Sequence, residues 1–568
     1  MAATTPSLQF LRPYTWRPLL GAAAGGAGKH NNRAAYLRFY HALARQQELA
    51  QVDALKYPRL RPPHHNDDVV GMRIPAFREK YANVKAGSVA DEEVVVHGRI
   101  QSVRRASSKL VFLDIKGEFE HVQGMCNFRK LEESGGATLE GFKKLAKLLN
   151  RGDIISVTGR ATRTPTGELT VEATRLPELL SPSLVPLPEK LVEDETRIQH
   201  RHIDLLVNRR TTDTLRLRSY LIKYLRDFLH ERGFLEFQTP ILAENAGGAV
   251  ARPFVTHSAD NKELALRIAP ELWLKRLVVG GVDRVFELGP AFRKEGIDTT
   301  HNPEFYICEF YSAYANLPDL VSLTEDMICG AAQHCQHLIS TKLTSLPPVE
   351  TGKYKRPFRQ MEFIPSLEAA LGFQLPDLST DSALEDLVEV LEKNGVQVEK
   401  PNPSLPKLLD KLAAQHIEPH SEEGPLFITH HPACMSPLSK SFRCEKTGQL
   451  VSARTELFMN GKELANMYEE ENDPFAQRQK FIDQVKYREG RQGEKEEDGE
   501  MVVDEGYIQA LESGLPPTGG WGCGVERLVM LFSGTKRISD VLSFGNLRNV
   551  VGLSKAVPVT AATDTTNS

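Results

Sequence analysis

Residues 284–314, RVFELGPAFRKEGIDTTHNPEFYICEFYSAY, constrain this chain more than any other stretch. Two apolar, aromatic-rich runs flank a polar loop at 294–303, a pattern that predicts a hairpin. In the second run, strand alternation puts Phe305, Ile307, Glu309 and Tyr311 on one face. That face offers a ring for a base, a carboxylate for a metal or an amine, and a phenol for a polar head. Arg293, at the end of the first run, supplies a planar forked cation suited to phosphate or carboxylate. Alone, the same pattern also fits a half-buried hairpin with solvated loop charges, so other segments must decide.

Several function classes are excluded or narrowed by composition. The 568 residues suggest two to four domains. The formal net charge is -4, so any nucleic-acid contact must be a local basic patch. Seven scattered cysteines, an odd number, make no disulfide framework. Cys434 and Cys444 lie near His430 and His431, but no paired Cys-x-x-Cys supports zinc. No apolar run approaches the ~18–20 residues of a membrane span, so no membrane partner is expected.

Residues 1–45 differ from the rest. Arg12, Arg17, Lys29, Arg33, Arg38 and Arg45 all precede the first acidic residue, Glu48. A positive, acid-free leader reads as a mitochondrial transit segment, with a merely basic disordered tail as the alternative. It predicts the mitochondrial matrix as destination. Met72 is the next methionine after Met1, so an internal start there would give a cytosolic form, a secondary reading.

Residues 46–90, with Pro58, Pro62, Pro63 and Pro75, read as a linker and short lead-in. Strand-like runs follow at 94–100, 109–115, 121–128, 153–164 and 168–180, with a helix at 139–149. Together they predict a small five-stranded barrel of the OB type over 91–182. Such barrels often bind oligonucleotides through aromatic and basic residues, here Arg99, Arg104, Phe112 and Gln123. Farther on, Leu221, Leu225, Phe228 and Leu229 share a helical face over 212–232, with Gly233 as its stop. A short extended run, 234–237, then ends by Pro240. Residues 317–425 read as decoration of the core, 489–500 as a charged loop, and 556–568 as a disordered tail.

Three further segments carry chemistry. Residues 266–281 begin extended and turn helical at Pro270, placing Glu271 in the first turn. In 452–473, Asn460-Gly461 is a strong hairpin signal that would pair Met459 with Lys462 and Phe458 with Glu463. Glu456 and Glu463 then project together, a repulsion best relieved by a hard divalent cation such as Mg²⁺. Asn466, Tyr468 and Glu470 have the opposite parity to Glu463, so a shared pocket requires a bulge near Leu464 and Ala465. Residues 514–532 form a glycine-rich lead into an apolar helix containing Arg527.

The stretches GFLEFQTP, GGAVARPF, RIAPELWLKRL, FRKEGIDTTHNPEF, HPACMSPLSK, ELANMYEEEND and GLPPTGGWGCGVER together resemble the class II lysyl-transfer-RNA synthetases. The resemblance runs from about residue 92 to 553, and the leader makes it similar to the mitochondrial form. It implies an α+β fold: an N-terminal five-stranded OB-fold barrel for the anticodon, then a class II synthetase catalytic domain over 183–555. That catalytic domain would be an antiparallel sheet flanked by helices. Implied substrates are L-lysine, ATP and tRNA(Lys), with Mg²⁺ as cofactor and a homodimer as assembly.

Roles follow from the same resemblance. Gly247 and Gly248 lie where backbone approaches the amino acid, and Glu271 matches the holder of the α-ammonium. Arg293 matches the motif 2 arginine on the α-phosphate and carboxylate. Glu295, His301 and Asn302 lie in the loop over the nucleotide, and Phe305 matches the ring beneath adenine. Glu456 and Glu463 match the Mg²⁺ carboxylates; Asn466 and Tyr468 line the lysine site. Tyr311 and Glu470 match the receivers of the ε-ammonium, Arg527 the motif 3 arginine on the γ-phosphate, and Gln123 an anticodon contact. Three departures stand out: Lys294 for a more usual Asn, Glu471 in a three-glutamate run, and FGNLRN near the C-terminus.

The chemistry so implied needs no protein nucleophile. Lysine carboxylate attacks the α-phosphorus of ATP, and the 3′-terminal hydroxyl of the transfer RNA then takes the lysyl group. Positioning and charge neutralisation would carry both steps. Two rivals remain: an enzyme attaching lysine to a protein, which would lack the barrel, and an RNA-binding protein with a dead synthetase core.

Overall fold

The computed structural model describes residues 41–51, 57–60, 69–244, 247–248, 251–398, 404–489 and 504–551. The chain divides into two units, residues 1–189 and 190–568. Most of the leader, the charged loop at 490–503 and the tail from 552 lie outside the described residues.

The N-terminal unit is a closed barrel. Strands Val89–Ser107, Leu110–Gly117, Glu120–Asn127, Leu169–Ala173 and Ile154–Arg163 hydrogen-bond in that order, and the first pairs back onto the last. Closure follows from composition. Val94, Val96, Ile100, Val111, Leu113, Ile115, Val157 and Val171 alternate inward and are fully or almost fully buried. The run expected as one strand at 168–180 breaks in two, Leu169–Ala173 and Glu178–Ser181, where Pro177 interrupts the ladder.

The segment expected as a linker contributes to this barrel. Strand Val69–Met72 adds in parallel beside Glu93–Val96, and helix Ile74–Lys80 buries Ile74 and Phe77 against the core. Arg45, counted with the leader, also belongs to the barrel's packing: its guanidinium donates to Leu148 O at 2.6 Å and to buried Asp153 Oδ2 at 3.2 Å. Leu49, one turn on, is fully buried in the same core.

The second unit is built on an eight-stranded sheet. Its order is Arg359–Glu362, Leu426–Thr429, Arg454–Met459, Lys462–Glu469, Thr518–Gly524, Glu304–Ala313, Arg284–Phe292 and Leu235–Glu236. Interior pairings are antiparallel; both edge pairings are parallel. One face packs on helices Arg209–His230, Leu317–Thr341 and Val525–Ser533 through Phe286, Cys308, Phe310, Leu457, Met467, Trp521 and Cys523. The other face, one residue out of phase, carries the polar side chains.

Local chemistry explains the elements. Helix Arg209–His230 stops near Gly233, which takes φ +79. Helix Leu317–Thr341 starts on a capping box between Asn316 and Asp319. It runs through the central core rather than decorating it, because Leu320, Met327, Ile328, Ala331, Cys335 and Leu338 form a continuous stripe. The predicted glycine-rich lead is itself a strand, Thr518–Gly524, in the middle of the sheet. Its neighbours on both sides satisfy its backbone, so it forms despite weak intrinsic preference.

Candidate active site

Cross-strand register assembles the site in two rows. Glu287, Glu309, Gly522, Asn466 and Glu456 stand opposite one another across five strands. Two residues along, Val285, Tyr311, Gly520, Tyr468 and Arg454 form the parallel row. Gly520 and Gly522 leave the middle strand without side chains on this face, so the flanking rows wall a trough. A Cβ on Gly520 would overlap Glu470 Oε1 and come within 2.6 Å of the Tyr311 ring.

The hairpin Arg454–Met459 and Lys462–Glu469 adopts the predicted turn. Asn460 and Gly461 take φ 52 and 66, and Met459 pairs with Lys462 and Phe458 with Glu463. The register shifts beside Leu457 and Phe458, leaving Leu464 as the extra residue. Leu464 and Ala465 both enter the core, so Glu463, Asn466 and Tyr468 all reach the trough.

At one end of the trough, helix Glu271–Val279, packed on strands Arg284–Phe292 and Glu304–Ala313, buries Glu271 and Lys275. Lys275 Nζ lies 2.7 Å from Glu271 Oε1 and 2.5 Å from Glu470 Oε2. Burial pushes the Glu470 carboxyl up to about 8, against the pull of Lys275. Glu271 is raised for the same reason, and Lys275, Arg293 and Arg454 oppose the shift. A Cβ on Gly248 would come within 3.0 Å of Glu271 Cβ, and one on Gly247 would collide with Leu272, so this backbone abuts the glutamate's helix. Asn466 Oδ1 is buried without a hydrogen-bond partner.

Glu309 is the second buried acid of the trough. It stands opposite Glu287, whose charge is matched by Arg267 at 2.5 Å. Burial, then the charge of Glu271, pushes the Glu309 carboxyl up to about 8. Tyr311 Oη donates to Glu309 Oε2 at 3.3 Å.

At the other end lie the phosphate-type groups. The Arg293 guanidinium sits 5.1 Å from the Phe305 ring and donates to Ile268 O at 3.3 Å. It is within charge reach of Glu271, Glu309 and Glu463. Arg527 Nη1 donates to Glu463 O at 2.7 Å, and its Nη2 lies 3.2 Å from His301 Nε2. His301 Nδ1 meets Asp298 Oδ2 at 2.9 Å, which ties the loop to Arg527. Glu295 is exposed on this loop. Asn302 Nδ2 donates to Glu304 O at 2.6 Å, and its Oδ1 accepts from Leu547 N at 3.0 Å. Both ends of that amide are therefore engaged by the chain itself.

The residues present fit a magnesium ion. Burial works against the Glu456 charge, but Arg454 and His431 hold its carboxyl well below the usual range; His431 Nε2 lies 3.0 Å from Glu456 Oε2. Glu463 is raised by burial and by Glu456, against Arg527. Two carboxylates that repel each other are a donor set that Mg²⁺ accepts, although Glu456 here also pairs with Arg454 and His431. Among the described residues, no group of three or more His, Cys, Asp or Glu forms an all-protein cage.

Lys275, Arg454 and His431 were not among the sequence candidates. Lys275 had a legible signal, since it follows Glu271 by four residues and shares its helix face. Arg454 precedes Glu456 by two and shares its strand face. His431 follows the neighbouring strand Leu426–Thr429, which pairs with the Glu456 strand, and it opens the quoted stretch HPACMSPLSK. The unusual Glu471 has its own partner, Lys480 at 2.6 Å.

A family model described as tRNA synthetases class II (D, K and N) matches residues 193–548. A second, described as OB-fold nucleic acid binding domain, matches residues 94–179. The mitochondrial lysine–tRNA ligase of Schizosaccharomyces pombe is 39% identical over 526 residues, covering 91% of this chain and 95% of the relative. The mitochondrial lysine–tRNA ligase of Saccharomyces cerevisiae is 37% identical, covering 80% of this chain and 82% of the relative. A probable cytoplasmic lysine–tRNA ligase of Encephalitozoon cuniculi is 39% identical, covering 81% and 88%. The chain belongs to the class II lysine–tRNA ligases.

Within a lysine–tRNA ligase, the barrel is the nucleic-acid module, and the three barrel candidates differ in availability. Arg99 donates to Gly152 O at 2.7 Å, which commits it to the barrel's own loop. Phe112 lies 4.3 Å from the Arg104 guanidinium, a ring and cation presented together. Gln123 stands opposite Asp114 and accepts from Thr170 Oγ1 at 3.2 Å. No helix among the described residues is long and apolar enough to cross a membrane.

Proposed function

We propose that this ligase activates L-lysine with ATP in the trough of its second unit and charges tRNA(Lys) for mitochondrial translation. One observation carries the assignment of the lysine site: Glu470 is a fully buried carboxylate whose Oε1 has no hydrogen-bond partner and borders the side-chain-free floor at Gly520. A buried, under-paired anion is costly until a cation reaches it. The ε-ammonium of lysine supplies that cation; a neutral or acidic side chain does not.

The remaining roles follow from position. Glu271 takes the α-ammonium, beside the backbone of Gly247. Arg293 takes the lysine carboxylate and the α-phosphate, and Phe305 backs the adenine, with Glu295, His301 and Asn302 in the loop above. Arg527 steadies the γ-phosphate and the departing pyrophosphate. Tyr311, Asn466 and Tyr468 shape the lysine channel. Glu456 and Glu463 would hold Mg²⁺, which supplies charge neutralisation at the phosphates when bound. No protein nucleophile is required; rate comes from orientation and fixed charge.

The mitochondrial assignment rests on the acid-free, arginine-rich leader and on the mitochondrial names of two relatives. Domain limits at 91–182 and 183–555, anticodon contacts through Arg99, Phe112 and Gln123, and a homodimer belong to the same reading. The test is lysine-dependent ATP–pyrophosphate exchange, then charging of separated mitochondrial and cytosolic transfer RNA pools. Exchange with lysine plus preferential charging of the mitochondrial pool is expected. Absence of exchange, or charging confined to the cytosolic pool, would overturn the corresponding half.

A further inference from the structure

The two carboxylates that this reading gives to the substrate's ammonium groups already share a cation. Lys275 Nζ bridges Glu271 Oε1 at 2.7 Å and Glu470 Oε2 at 2.5 Å. Lys275 and Glu470 are both closed off from solvent. Glu271 and Lys275 are one helical turn apart on a single face, and Glu470 is fixed from the sheet through its N–H to Thr518 O at 2.8 Å. The Tyr311 and Tyr507 rings lie 5.9 and 5.7 Å from the same ammonium, so its walls are aromatic. Of the two buried Glu470 oxygens, Oε2 carries the ion pair with Lys275 and Oε1 borders Gly520.

Resting on the ligase reading above, we propose that Lys275 is a positioning residue for lysine recognition: a resident ammonium that holds one oxygen of Glu271 and one of Glu470 and leaves Glu470 Oε1 for the substrate. The geometry divides the labour of the carboxylate. A protein cation takes the inner oxygen, and the substrate's ε-ammonium takes the other. Neither cation alone satisfies a buried carboxylate with two acceptor oxygens.

The charge balance of the pocket makes this testable by pH. The groups facing Glu470 and Lys275 are Glu271 from the helix, Tyr311 from the hairpin, Tyr468 from the adjacent strand and Tyr507 from helix Glu505–Glu512. Arg293 and Arg454 reach Glu271. Burial already pushes the Glu470 carboxyl up to about 8 with Lys275 beside it. Losing that cation drives the carboxyl higher still, so a smaller fraction of it is ionised near neutral pH to meet an ammonium. Affinity for lysine then returns as pH rises and the carboxyl ionises. A residue that only supported the fold would lower activity alike at every pH.

The experiment compares wild type, Lys275→Met and Lys275→Arg in the full chain by lysine-dependent ATP–pyrophosphate exchange from pH 7 to 9.5. One neighbouring charge moves a carboxyl by about 1–3 units, so Lys275→Met should raise the lysine KM about tenfold or more at pH 7. The ATP KM should stay within about twofold, since ATP binding does not use this charge. The variant-to-wild-type ratio should fall as pH rises, and Lys275→Arg should keep most of the lysine affinity. A ratio independent of pH, or lysine and ATP KM values rising together, would overturn the proposal. If Lys275→Met does not fold, Lys275→Gln replaces it; loss of fold in both makes the residue a stability element and also overturns it. Wild type without lysine-dependent exchange removes the ligase reading itself, whereas active wild type with an unaffected variant removes only this role.

Discussion

Gly520 lies directly opposite Tyr311 in the ladder, and a side chain there would strike both the tyrosine ring and the carboxylate of Glu470. The glycine is a space requirement, since the strand is extended and needs no unusual backbone angle. Gly520→Ala should therefore raise the lysine KM by up to about a hundredfold, as expected for a displacement near 1 Å at a reacting centre. ATP affinity should change little. Steady-state exchange with lysine and ATP varied separately checks this, and an unchanged lysine KM would refute the packing argument.

Glu309 provides a pH signature of stability. Burial and the nearby Glu271 charge raise its carboxyl from 4.5 to about 8. A raised folded value means that stability is fully present below about 4.5 and is lost as pH climbs towards about 8. Glu309→Gln should flatten that decline in chemical-denaturation profiles between pH 5 and 9. A slope identical to wild type would show that Glu309 does not titrate in this window.

Removal of the divalent ion should abolish exchange, with activity restored by Mg²⁺ titration after chelation. If the proposed Mg²⁺ site is right, Glu463→Gln should raise the half-saturating Mg²⁺ concentration about tenfold or more, the scale of losing one of two carboxylate ligands. Glu456→Gln should do the same and also free Arg454, which pairs with it. An unaltered Mg²⁺ curve in both variants would reassign these glutamates.

Arg45 and Asp153 form a buried pair, so breaking it from one side strands a charge in the barrel. Arg45→Met should cost about 3–5 kcal/mol of stability in the barrel. Translation from Met72 would remove Arg45, Leu49 and most of strand Val69–Met72 together. The shortened chain should be strongly destabilised or insoluble on expression. A melting profile equal to the full chain would revive an internal start as a source of a second form.

Much of the site was legible because its signals were local. The Asn460-Gly461 turn set the register of its hairpin, and parity arithmetic alone demanded a bulge where Leu464 sits. Alternation put Glu309 and Tyr311 on one face, as the sheet has them. Less legible were features decided by partners far away in sequence. The strand Thr518–Gly524 reads as a loop because glycine carries no strand preference; its two neighbours impose the conformation. Lys275 shares a helix face with Glu271, but its second partner, Glu470, lies 195 positions away and is visible only in the fold. The lead-in at 69–80 is short and proline-marked, yet the barrel core recruits it through Ile74 and Phe77.

The extra residue at Leu464 carries a consequence for how this strand can vary. On one side of it, odd positions such as Glu463 point into the trough; on the other, even positions such as Asn466 and Tyr468 do. Amino-acid replacements along the strand alter single contacts, but deleting one codon there would put Glu463 out of step with Asn466 and Tyr468. Indels in this hairpin should be far rarer than exchanges among surviving descendants.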